Sequence, residues 1–487
     1  MLPENKEACY EVFKSKDARF DGRLFVGISS TGIYCRPVCR ARLPKFENCT
    51  YFTTAAEAEQ AGFRPCLLCR PELAPGNSIV DASSALAHKA ARLLEENCGN
   101  GLGLKELSSR LSCTDRHLRR VFLEEYRVTP VRYLQTCRLL LAKNLMTDTD
   151  LPVLDVAMAA GFGSLRRMNE LFQKQYKLSP TDLRKEITEN GSHKGETAIT
   201  VAYRPPYRWD AMLDFLAARA IPGVETTAGR CYARTVRLRN RDGKVYCGWV
   251  RVEHFANKNS LRVTLSDSLI SILTQVLFRV RRLFDLYCEP VLVYEKLREM
   301  NELRAGLCVP GTRVPGCFDP FETSVRAILG QQITVKAAGT LAGRLAEHFG
   351  TPIETGMDGL NRIFPTAEDI LAIGKGIQDR FGLLGVTTAR SDCIRALAEA
   401  LISGEIDLNQ CADPEREMEK LQNIRGIGRW TAQYIAMRTM DWPDAFLETD
   451  AGIRHALPGR SPKELLELSE RWRPWRSYAT VNLWNTL

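Results

Sequence analysis

Apolar residues recur at helical spacing between residues 82 and 185, where two segments repeat one layout of two helices around a turn. In the first segment, "LKELSSRLSCTDRHLRRVFLEEY", the apolar stripe consists of Leu104, Leu107, Leu111, Leu118, Val121 and Phe122. A turn at Ser112–Thr114 separates its two halves, and Thr114 suits the N-cap of the second helix. This spacing predicts a helix-turn-helix with a basic outer face.

The second segment, "VLDVAMAAGFGSLRRMNELFQKQY", has glycines at its turn and Ser164 as its expected N-cap. Its inward positions are Met168, Leu171 and Phe172. A solvated charged face is the ordinary interpretation of one such pair of helices, but two basic copies favour DNA binding. The residues predicted to contact DNA bases or phosphates are Arg116, His117, Arg119, Arg120, Ser164, Arg166, Arg167 and Asn169.

Near the C-terminus, "LQNIRGIGRWTAQYIAMR" places Gly426 and Gly428 between two apolar helical runs. Glycines at such a turn let backbone N–H groups approach a phosphate, helped by the N-terminus of the second helix. The pattern predicts a helix-hairpin-helix that holds DNA without reading its sequence, with Gly426, Gly428 and Thr431 as contacts. The alternative is a turn that only packs two helices together.

Two polar stretches divide the chain, "PELAPGNSIVD" at 71–81 and "EITENGSHKGETA" at 186–198. They separate a small cysteine-rich unit, a helical unit and a large C-terminal unit, as expected for a chain of 487 residues. The 45% apolar and 26% charged residues are typical of a soluble globular protein. No apolar run is long enough to span a membrane and "MLPENKEACYEVF" has no hydrophobic signal core, so we expect a cytoplasmic protein without membrane contact.

The net charge of +9 is unevenly spread, because residues 101–195 carry 16 Lys and Arg against 11 Asp and Glu. An excess of positive charge favours a polyanionic partner but serves solubility equally well. It is therefore only weak support for DNA binding by the helical unit.

The 16 cysteines are a second compositional signal, since in a reducing cytosol they indicate metal ligands or reactive thiols rather than disulfides. Cys35 and Cys39 are spaced C-x3-C, and Cys66 and Cys69 are spaced C-x2-C. Two such pairs are typical of a tetrahedral Zn2+ bound by four thiolates. On spacing alone the zinc is structural, although a thiolate in such a site can also attack an electrophilic methyl group.

The stretches "FVGISSTGIYCRPVCRAR" and "GFRPCLLCRPE" resemble the N-terminal domain of the Ada family, the bacterial adaptive-response proteins for alkylated DNA. The resemblance covers residues 6–75 and implies that Cys35 accepts the methyl group of a methylphosphotriester in the DNA backbone. It also implies that Arg42 contacts DNA. Methylation of Cys35 removes one negative charge beside the phosphates, which is expected to tighten DNA binding, and the reaction is expected once per chain.

The helical unit, with "GFGSLRRMNELFQKQYKLSPTDLRK" at its end, resembles the AraC-type DNA-binding module. Together the two resemblances imply a transcriptional activator with RNA polymerase as a partner. Full-length Ada proteins add a domain whose P-C-H-R motif repairs O6-methylguanine, and this motif is absent from the sequence. We therefore expect no repair of that lesion.

Residues 199–487 resemble AlkA-type 3-methyladenine DNA glycosylases, through "PPYRWDAMLDFLAARAIPGVE", "FDPFETSVRAILGQQITVKAA" and "RWRPWRSYATVNLW". By this resemblance Asp450 is the catalytic carboxylate and Asp444 is structural. An enzyme of this type flips the alkylated nucleotide out of the duplex, and the carboxylate stabilises the sugar cation as the base leaves.

Trp430, Tyr434 and Trp484 match the aromatic lining of the base pocket, and plain core packing is the alternative for each. Bifunctional relatives, which also cut the strand, have a lysine where this chain has Trp430, so we expect a monofunctional glycosylase. Gln332 occupies the position of the apolar side chain that wedges into the duplex, and a glutamine there loses apolar area. The sequence also ends at Leu487, before the tail that is usual in such glycosylases.

These resemblances imply a mainly α, multidomain chain with domains at 1–75, 82–187, 199–312 and 313–487. In order, we expect a small α+β zinc domain, an AraC-type double helix-turn-helix, a small α+β domain with a mixed sheet, and a helical helix-hairpin-helix glycosylase domain. The expected function combines methyl transfer to Cys35, transcriptional activation and excision of alkylated purines, with one Zn2+ and double-stranded DNA as partner. The sequence does not determine the oligomeric state, and a monomer is favoured. The alternatives are a regulator whose glycosylase domain only holds DNA, and a non-reactive zinc protein that binds DNA.

Overall fold

The computed structural model describes residues 3, 5–75, 85–100, 102–188, 197–408 and 413–486. Both expected linkers lie partly outside the described residues, at 76–84 and 189–196. Within the described ranges, no helix is both long enough and apolar enough to cross a membrane.

The N-terminal unit is a four-stranded mixed sheet with two helices. Its elements are α1 (Lys6–Lys14), β1 (Phe25–Ile28), β2 (Ile33–Cys35), β3 (Cys49–Phe52), α2 (Ala55–Gln60) and β4 (Arg64–Pro65). The strand order is β3-β1-β2-β4, with β2 and β4 parallel and the other pairs antiparallel. Cys35 ends β2 and Cys66 directly follows β4, so this pairing brings the two cysteine pairs together.

The helical unit contains the two expected helix pairs. Its helices are α3 (Ala85–Glu96), α4 (Leu104–Arg110), α5 (Asp115–Tyr126), α6 (Pro130–Asp148), α7 (Val153–Ala159), α8 (Leu165–Tyr176) and α9 (Pro180–Thr188). Both second helices begin at the predicted caps, because Thr114 accepts the His117 N–H and Ser164 accepts the Arg167 N–H. The apolar stripes point inward as predicted, with Phe122 and Phe172 fully buried.

A five-stranded sheet opens the C-terminal part of the chain. The elements are β5 (Thr197–Ala202), α10 (Trp209–Arg219), β6 (Glu225–Thr226), β7 (Tyr232–Arg239), β8 (Val245–Phe255), β9 (Ser260–Leu265), α11 (Leu273–Leu283), α12 (Pro290–Leu297) and α13 (Met300–Leu303). The strand order is β5-β9-β8-β7-β6, and every pair is antiparallel. The expectation of a mixed sheet is therefore wrong for this unit, because short turns join β7 to β8 and β8 to β9 and such hairpins make antiparallel neighbours.

The rest of the chain is helical apart from a two-stranded ribbon. It consists of α14 (Pro320–Leu329), α15 (Val335–Phe349), β10 (Thr351–Pro352), β11 (Arg362–Ile363), α16 (Ala367–Ala372), α17 (Ile377–Gly382), α18 (Thr388–Ile402), α19 (Pro414–Asn423), α20 (Arg429–Thr439), α21 (Ala451–Ala456), α22 (Pro462–Ser469) and α23 (Arg476–Trp484). The turn between α19 and α20 is the predicted helix-hairpin-helix turn.

The hydrophobic cores cross the borders between units. One buried cluster runs from Leu139 in α6 through α7 to α9 and continues into the antiparallel sheet and α11. Another joins Ala56 of α2 to helices α3, α5 and α6. Because apolar burial is the main favourable contribution to folding, the units of this chain support one another.

Candidate functional site

The four predicted zinc ligands form one cluster. The sulfur atoms of Cys35, Cys39, Cys66 and Cys69 all lie within 4.8 Å of one another. A tetrahedral Zn2+ with bonds of about 2.3 Å to sulfur needs sulfur–sulfur distances of about 3.8 Å, so the cluster fits this ion. The prediction of a four-cysteine zinc site is confirmed.

The four sulfur ligands also favour a bound cation on chemical grounds. Mutual hydrogen bonding among the sulfur atoms raises the pKa of Cys35, with Cys39 as the main contributor, and lowers the pKa of Cys66, with Cys35 as the main contributor. Four neighbouring thiolates repel one another, so their ionisation is favoured by a nearby positive charge. A bound Zn2+ supplies the positive charge that four thiolates require.

Arg36 connects the cysteine cluster to neighbouring residues by hydrogen bonds. Its backbone N–H donates to Cys69 Sγ at 3.4 Å, and its guanidinium donates to Asp21 at 2.7 Å and to the Cys69 carbonyl at 3.1 Å. Cys35 is buried, with 5% of its surface exposed, so exposure by itself does not select it as the reacting thiol. Arg42 is exposed on the same loop as Cys39.

The predicted DNA-contacting residues of both helix-turn-helix motifs are exposed. They lie on the outer faces of α5 and α8 or at their N-caps, and comprise Arg116, His117, Arg119, Arg120, Ser164, Arg166, Arg167 and Asn169. Arg120 pairs with Glu124 and Arg166 with Glu170, each at 2.9 Å. Such exposed pairs are weak, so both arginines are available to phosphates.

Glu59 joins the N-terminal unit to the helical unit. Its carboxylate accepts hydrogen bonds from Thr136 at 3.0 Å, Tyr34 at 3.2 Å and Tyr176 at 3.3 Å. Burial raises the pKa of Glu59 to about 7, because the hydrogen bonds and the nearby Arg132 offset only part of the desolvation. The zinc unit and the second helix-turn-helix therefore share a buried acid.

This acid predicts a pH dependence of stability. Because the pKa of Glu59 is higher in the folded state than its ordinary value of 4.5, the stabilisation is present at low pH and is lost as the pH rises to about 7. The loss corresponds to about 3 kcal/mol in the free energy of unfolding. Urea titrations across this window should show the decline in the wild type and in the exposed control Glu47→Gln, but not in Glu59→Gln. An equal decline in all three proteins contradicts the assignment.

The helix-hairpin-helix turn is shaped by Gly426 and held by Gln331. Gly426 has φ of +100°, which a glycine adopts without strain, and its carbonyl accepts the Gln331 side-chain amide at 2.8 Å. The same amide donates to the Thr431 hydroxyl at 3.1 Å, and Thr431 is 3% exposed. The Thr431 side chain thus faces Gln331 rather than solvent, whereas Gly426 and Gly428 are exposed.

Asp450 lies at the N-terminus of α21 with both carboxylate oxygens fixed. One oxygen accepts the backbone N–H groups of Gly452 at 2.9 Å and Ile453 at 3.2 Å, and also the Trp484 indole N–H at 2.9 Å. The other accepts the Trp430 indole N–H at 3.1 Å. Four donors hold the carboxylate between two aromatic side chains.

The aromatic residues predicted to line the base pocket lie together beside this carboxylate. Trp430 and Tyr434 are four residues apart on α20, which places them on one helix face, and their rings stack with centroids 5.3 Å apart. The ring of Trp484, at the end of α23, lies 6.3 Å from Tyr434. All three are partly exposed and pack against the hydrophobic cores beneath them.

Sequence reasoning missed two residues beneath this aromatic group. Phe215 of α10 stacks on Trp484 with centroids 6.1 Å apart, and Arg438 donates to the Tyr434 hydroxyl at 2.6 Å. Burial by itself raises the pKa of Tyr434, but Arg438 and Arg219 outweigh it and lower that pKa. The helical spacing of Tyr434 and Arg438 was a usable signal for one of them, whereas Phe215 is distant in sequence.

Asp444 lies in an ion cluster away from the Asp450 carboxylate. It accepts two hydrogen bonds from Arg476, at 2.8 and 2.9 Å, and a further one from Arg473. Asp444 and Arg476 are 7% and 5% exposed. These contacts agree with a structural role, since both oxygens are engaged by arginines.

Removal of the Asp444 carboxylate should lower the free energy of unfolding. We expect a loss of about 3 kcal/mol for Asp444→Ala, because Arg476 is left buried without its main partner. Chemical denaturation of the variant and of the exposed control Glu467→Ala measures the difference. A loss equal to that of the control contradicts the role.

Gln332 is exposed in the turn between α14 and α15. Its backbone has φ of +57°, a left-handed conformation that is unusual for a residue other than glycine. The preceding residue, Gln331, is held by Arg390 through its carbonyl and by the hairpin turn through its amide. The turn is therefore anchored on one side and presents Gln332 to solvent.

The chain combines a four-cysteine metal unit, two helix-turn-helix motifs and an aromatic cluster with a carboxylate near a helix-hairpin-helix turn, the parts of a DNA-repair protein that also has a regulatory DNA-binding module. Three family models match in the same order, the metal binding domain of Ada at 8–72, a helix-turn-helix domain at 107–186 and the AlkA N-terminal domain at 198–319. The chain belongs to the family of bifunctional transcriptional activator/DNA repair enzymes AlkA. The predicted resemblances to the Ada zinc domain, the AraC-type helix-turn-helix module and the AlkA-type glycosylase are thereby confirmed.

Three relatives illustrate this membership. The probable bifunctional transcriptional activator/DNA repair enzyme AlkA of Mycobacterium tuberculosis is 35% identical over 496 residues, which cover 100% of this chain and 97% of the relative. The DNA-3-methyladenine glycosylase 2 of Escherichia coli is 37% identical over 59% of this chain and 96% of its own length. The bifunctional transcriptional activator/DNA repair enzyme Ada of Escherichia coli is 36% identical over 26% of this chain and 34% of its own length.

Proposed function

We propose that this protein accepts a methyl group from DNA methylphosphotriesters on Cys35, activates transcription, and excises alkylated purines of the 3-methyladenine type as a monofunctional glycosylase. The observation that carries the excision is the Asp450 carboxylate, held by two indole N–H groups at the edge of an aromatic pocket. The observation that carries the methyl transfer is the four-cysteine cluster, which fits Zn2+.

In the methyl transfer, Cys35 Sγ attacks the methyl carbon of the phosphotriester. The sulfur–carbon bond forms as the carbon–oxygen bond breaks, and the electron pair stays on the phosphate oxygen, which restores an ordinary phosphodiester. The cluster loses one negative charge in this step. Two unit charges 4 Å apart interact by about 4 kcal/mol at an effective dielectric constant of 20, so the loss favours binding to DNA phosphates.

In the excision, an alkylated purine leaves the duplex and stacks on the rings of Trp430, Tyr434 and Trp484. Such a base is cationic, and each ring attracts a cation by about 0.5–2 kcal/mol. Asp450 then stabilises the positive charge that develops on the sugar as the glycosidic bond breaks. Water completes the reaction and leaves an abasic site.

A covalent intermediate with the sugar needs an amine at the position of residue 430. Trp430 occupies the position where a lysine would be needed, and its indole N–H donates to Asp450. We therefore expect base release without strand cleavage.

A direct assay tests the glycosylase proposal. Duplex DNA that contains 3-methyladenine is incubated with the protein, and free base and strand breaks are measured separately, with an unmethylated duplex as control. The proposal expects many free bases per chain and strand breaks only after alkali treatment. Binding without base release would instead favour a regulator whose glycosylase unit only holds DNA.

One observation favours the second function, a regulator whose glycosylase unit only holds DNA: the residue at the wedge position is the polar Gln332. A buried leucine side chain contributes about 1.5–3 kcal/mol of apolar transfer free energy. We expect Gln332→Leu to raise the single-turnover rate of base release about tenfold, because the duplex would be held open more firmly. A rate equal to that of the wild type means that residue 332 does not enter the duplex.

The proposed function also implies the partners and the domain borders of the protein. Double-stranded DNA is the substrate and the operator, RNA polymerase is the partner of the activator, and both place the protein in the cytoplasm. The proposed domains are residues 1–75, 82–187, 199–312 and 313–487. Arg42 and the outer faces of α5 and α8 are proposed to contact DNA.

A further inference from the structure

A line of polar contacts joins the zinc unit to the first strand of the C-terminal part. The Arg70 guanidinium donates to one Asp148 oxygen at 2.6 Å, and the other Asp148 oxygen accepts the Thr200 N–H at 3.1 Å. Arg70 directly follows the zinc ligand Cys69, Asp148 ends α6, and Thr200 lies in β5. The line therefore crosses all three parts of the chain.

A second bridge of charged side chains joins the zinc unit to a residue close to Thr200. The Glu289 carboxylate forms an ion pair with Arg204 at 3.0 Å and with Arg23 of the zinc unit at 3.6 Å. The side chains of Arg23, Glu289 and Arg204 are 6%, 4% and 1% exposed, so water screens these charges little. Arg204 lies between β5 and α10, four residues after Thr200.

Both bridges begin beside the reacting sulfur. Arg36, the residue after Cys35, donates to Asp21 and to the backbone carbonyls of Cys69 and Arg70. Asp21 is two residues from Arg23. A change of charge at Cys35 Sγ alters the attraction on Arg36. Arg36 contacts the Arg70 carbonyl of the first bridge directly, and it contacts Asp21 in the turn that contains Arg23 of the second bridge.

Both bridges end in the segment that precedes α10, the helix that contacts the aromatic group beside Asp450. The segment that contains Thr200 and Arg204 leads directly into α10. From α10, Phe215 stacks on Trp484, whose indole N–H donates to Asp450 at 2.9 Å. A small shift of α10 therefore reaches the residue that fixes the proposed catalytic carboxylate.

Buried ion pairs alone are weak evidence for anything beyond packing, since such pairs often contribute little net stability. Here two bridges connect the zinc unit to the same segment before α10, and the proposed reaction changes the charge at the zinc unit. We propose that methylation of Cys35 is coupled to base excision through these bridges, so that the chain's catalytic rate on alkylated bases reports whether it has repaired a phosphotriester. This inference rests on the proposed function.

The wild-type protein tests the coupling directly. The chain is methylated with an excess of methylphosphotriester oligonucleotide, freed of DNA, and checked by mass spectrometry for one methyl group on Cys35. The turnover number for 3-methyladenine release is then measured at saturating duplex for methylated and unmethylated protein. We expect them to differ at least about fivefold, the lower end of ordinary allosteric coupling. Equal turnover numbers overturn the inference, whereas no release in either state overturns the proposed function instead.

Variants test whether the bridges carry the coupling. Arg70→Met and Arg23→Met together should still accept one methyl group and still release base, but with the same turnover number in both states. Lys14→Met, which removes an exposed pair within α1, should keep the difference. A difference that persists in the double variant shows that methylation acts through DNA contacts and overturns the proposal.

A readout without catalysis covers variants that fold poorly. Amide hydrogen exchange in residues 197–219 of the wild type should change on methylation of Cys35. By reciprocity, binding of an abasic-site duplex in the base pocket should change exchange in residues 66–72. Unchanged exchange in both segments contradicts the coupling.

Discussion

Asp450→Asn is expected to lower the rate of base release by about 100-fold to 1,000-fold, the cost of removing one preorganised charge-stabilising group from an active site. The asparagine oxygen can still accept the backbone N–H groups of Gly452 and Ile453, so α21 keeps its cap. What disappears is the negative charge between Trp430 and Trp484. Free base is measured under single-turnover conditions with duplex DNA that contains 3-methyladenine.

The same preparation supplies the internal control, because Asp450→Asn should accept one methyl group on Cys35 as the wild type does. Glu448→Gln is the matched control variant, since Glu448 lies two residues away and pairs with Arg429 instead of facing the pocket. It should release base at a rate within a few-fold of the wild type. Undiminished release by Asp450→Asn would show that another group stabilises the positive charge on the sugar.

Cys35→Ala is expected to abolish methyl uptake completely while base release persists. The variant lacks both the proposed methyl acceptor and one of the four zinc ligands, so zinc should also dissociate more readily in a competition with a chelator. Mass spectrometry of the peptide that contains residue 35, after exposure to methylphosphotriester DNA, gives the result. Zinc content is measured in the same samples.

The buried cysteines outside the cluster provide the control for this prediction. Cys49→Ala removes a thiol of the same unit whose sulfur donates only to the Lys45 carbonyl, and it should accept a methyl group normally. A methyl group found on Cys39 or Cys69 of the wild type would contradict the assignment. Cys39 and Cys69 are more exposed than Cys35, so a reaction governed by exposure alone would methylate them first. The experiment therefore distinguishes the two possibilities.

The parts of this protein that the sequence predicts are those set by local chemistry. The zinc site follows from two cysteine spacings, and the caps at Thr114 and Ser164 follow from their position before an apolar stripe. The proximity of Trp430 to Tyr434 follows from helical periodicity. Each of these features depends on residues within a few positions of one another.

The features that were missed depend on the fold as a whole. Phe215 contacts Trp484 because α10 packs against the end of α23. The Gln331 amide donates to the Thr431 hydroxyl because the turn between α14 and α15 lies against the turn between α19 and α20. The antiparallel sheet follows from hairpin connections that residue composition does not reveal. The buried Glu59 and Glu289 join units that look independent in sequence.

We propose that one chain performs two different repair reactions on alkylated DNA, one stoichiometric and one catalytic. The most direct measurement follows methyl groups on Cys35 and free 3-methyladenine together, in one reaction with excess duplex that carries both lesions. The account predicts that methyl uptake stops at one per chain while base release continues through many turnovers. Base release that also stops at one per chain, or a chain that gains no methyl group on Cys35, would contradict it.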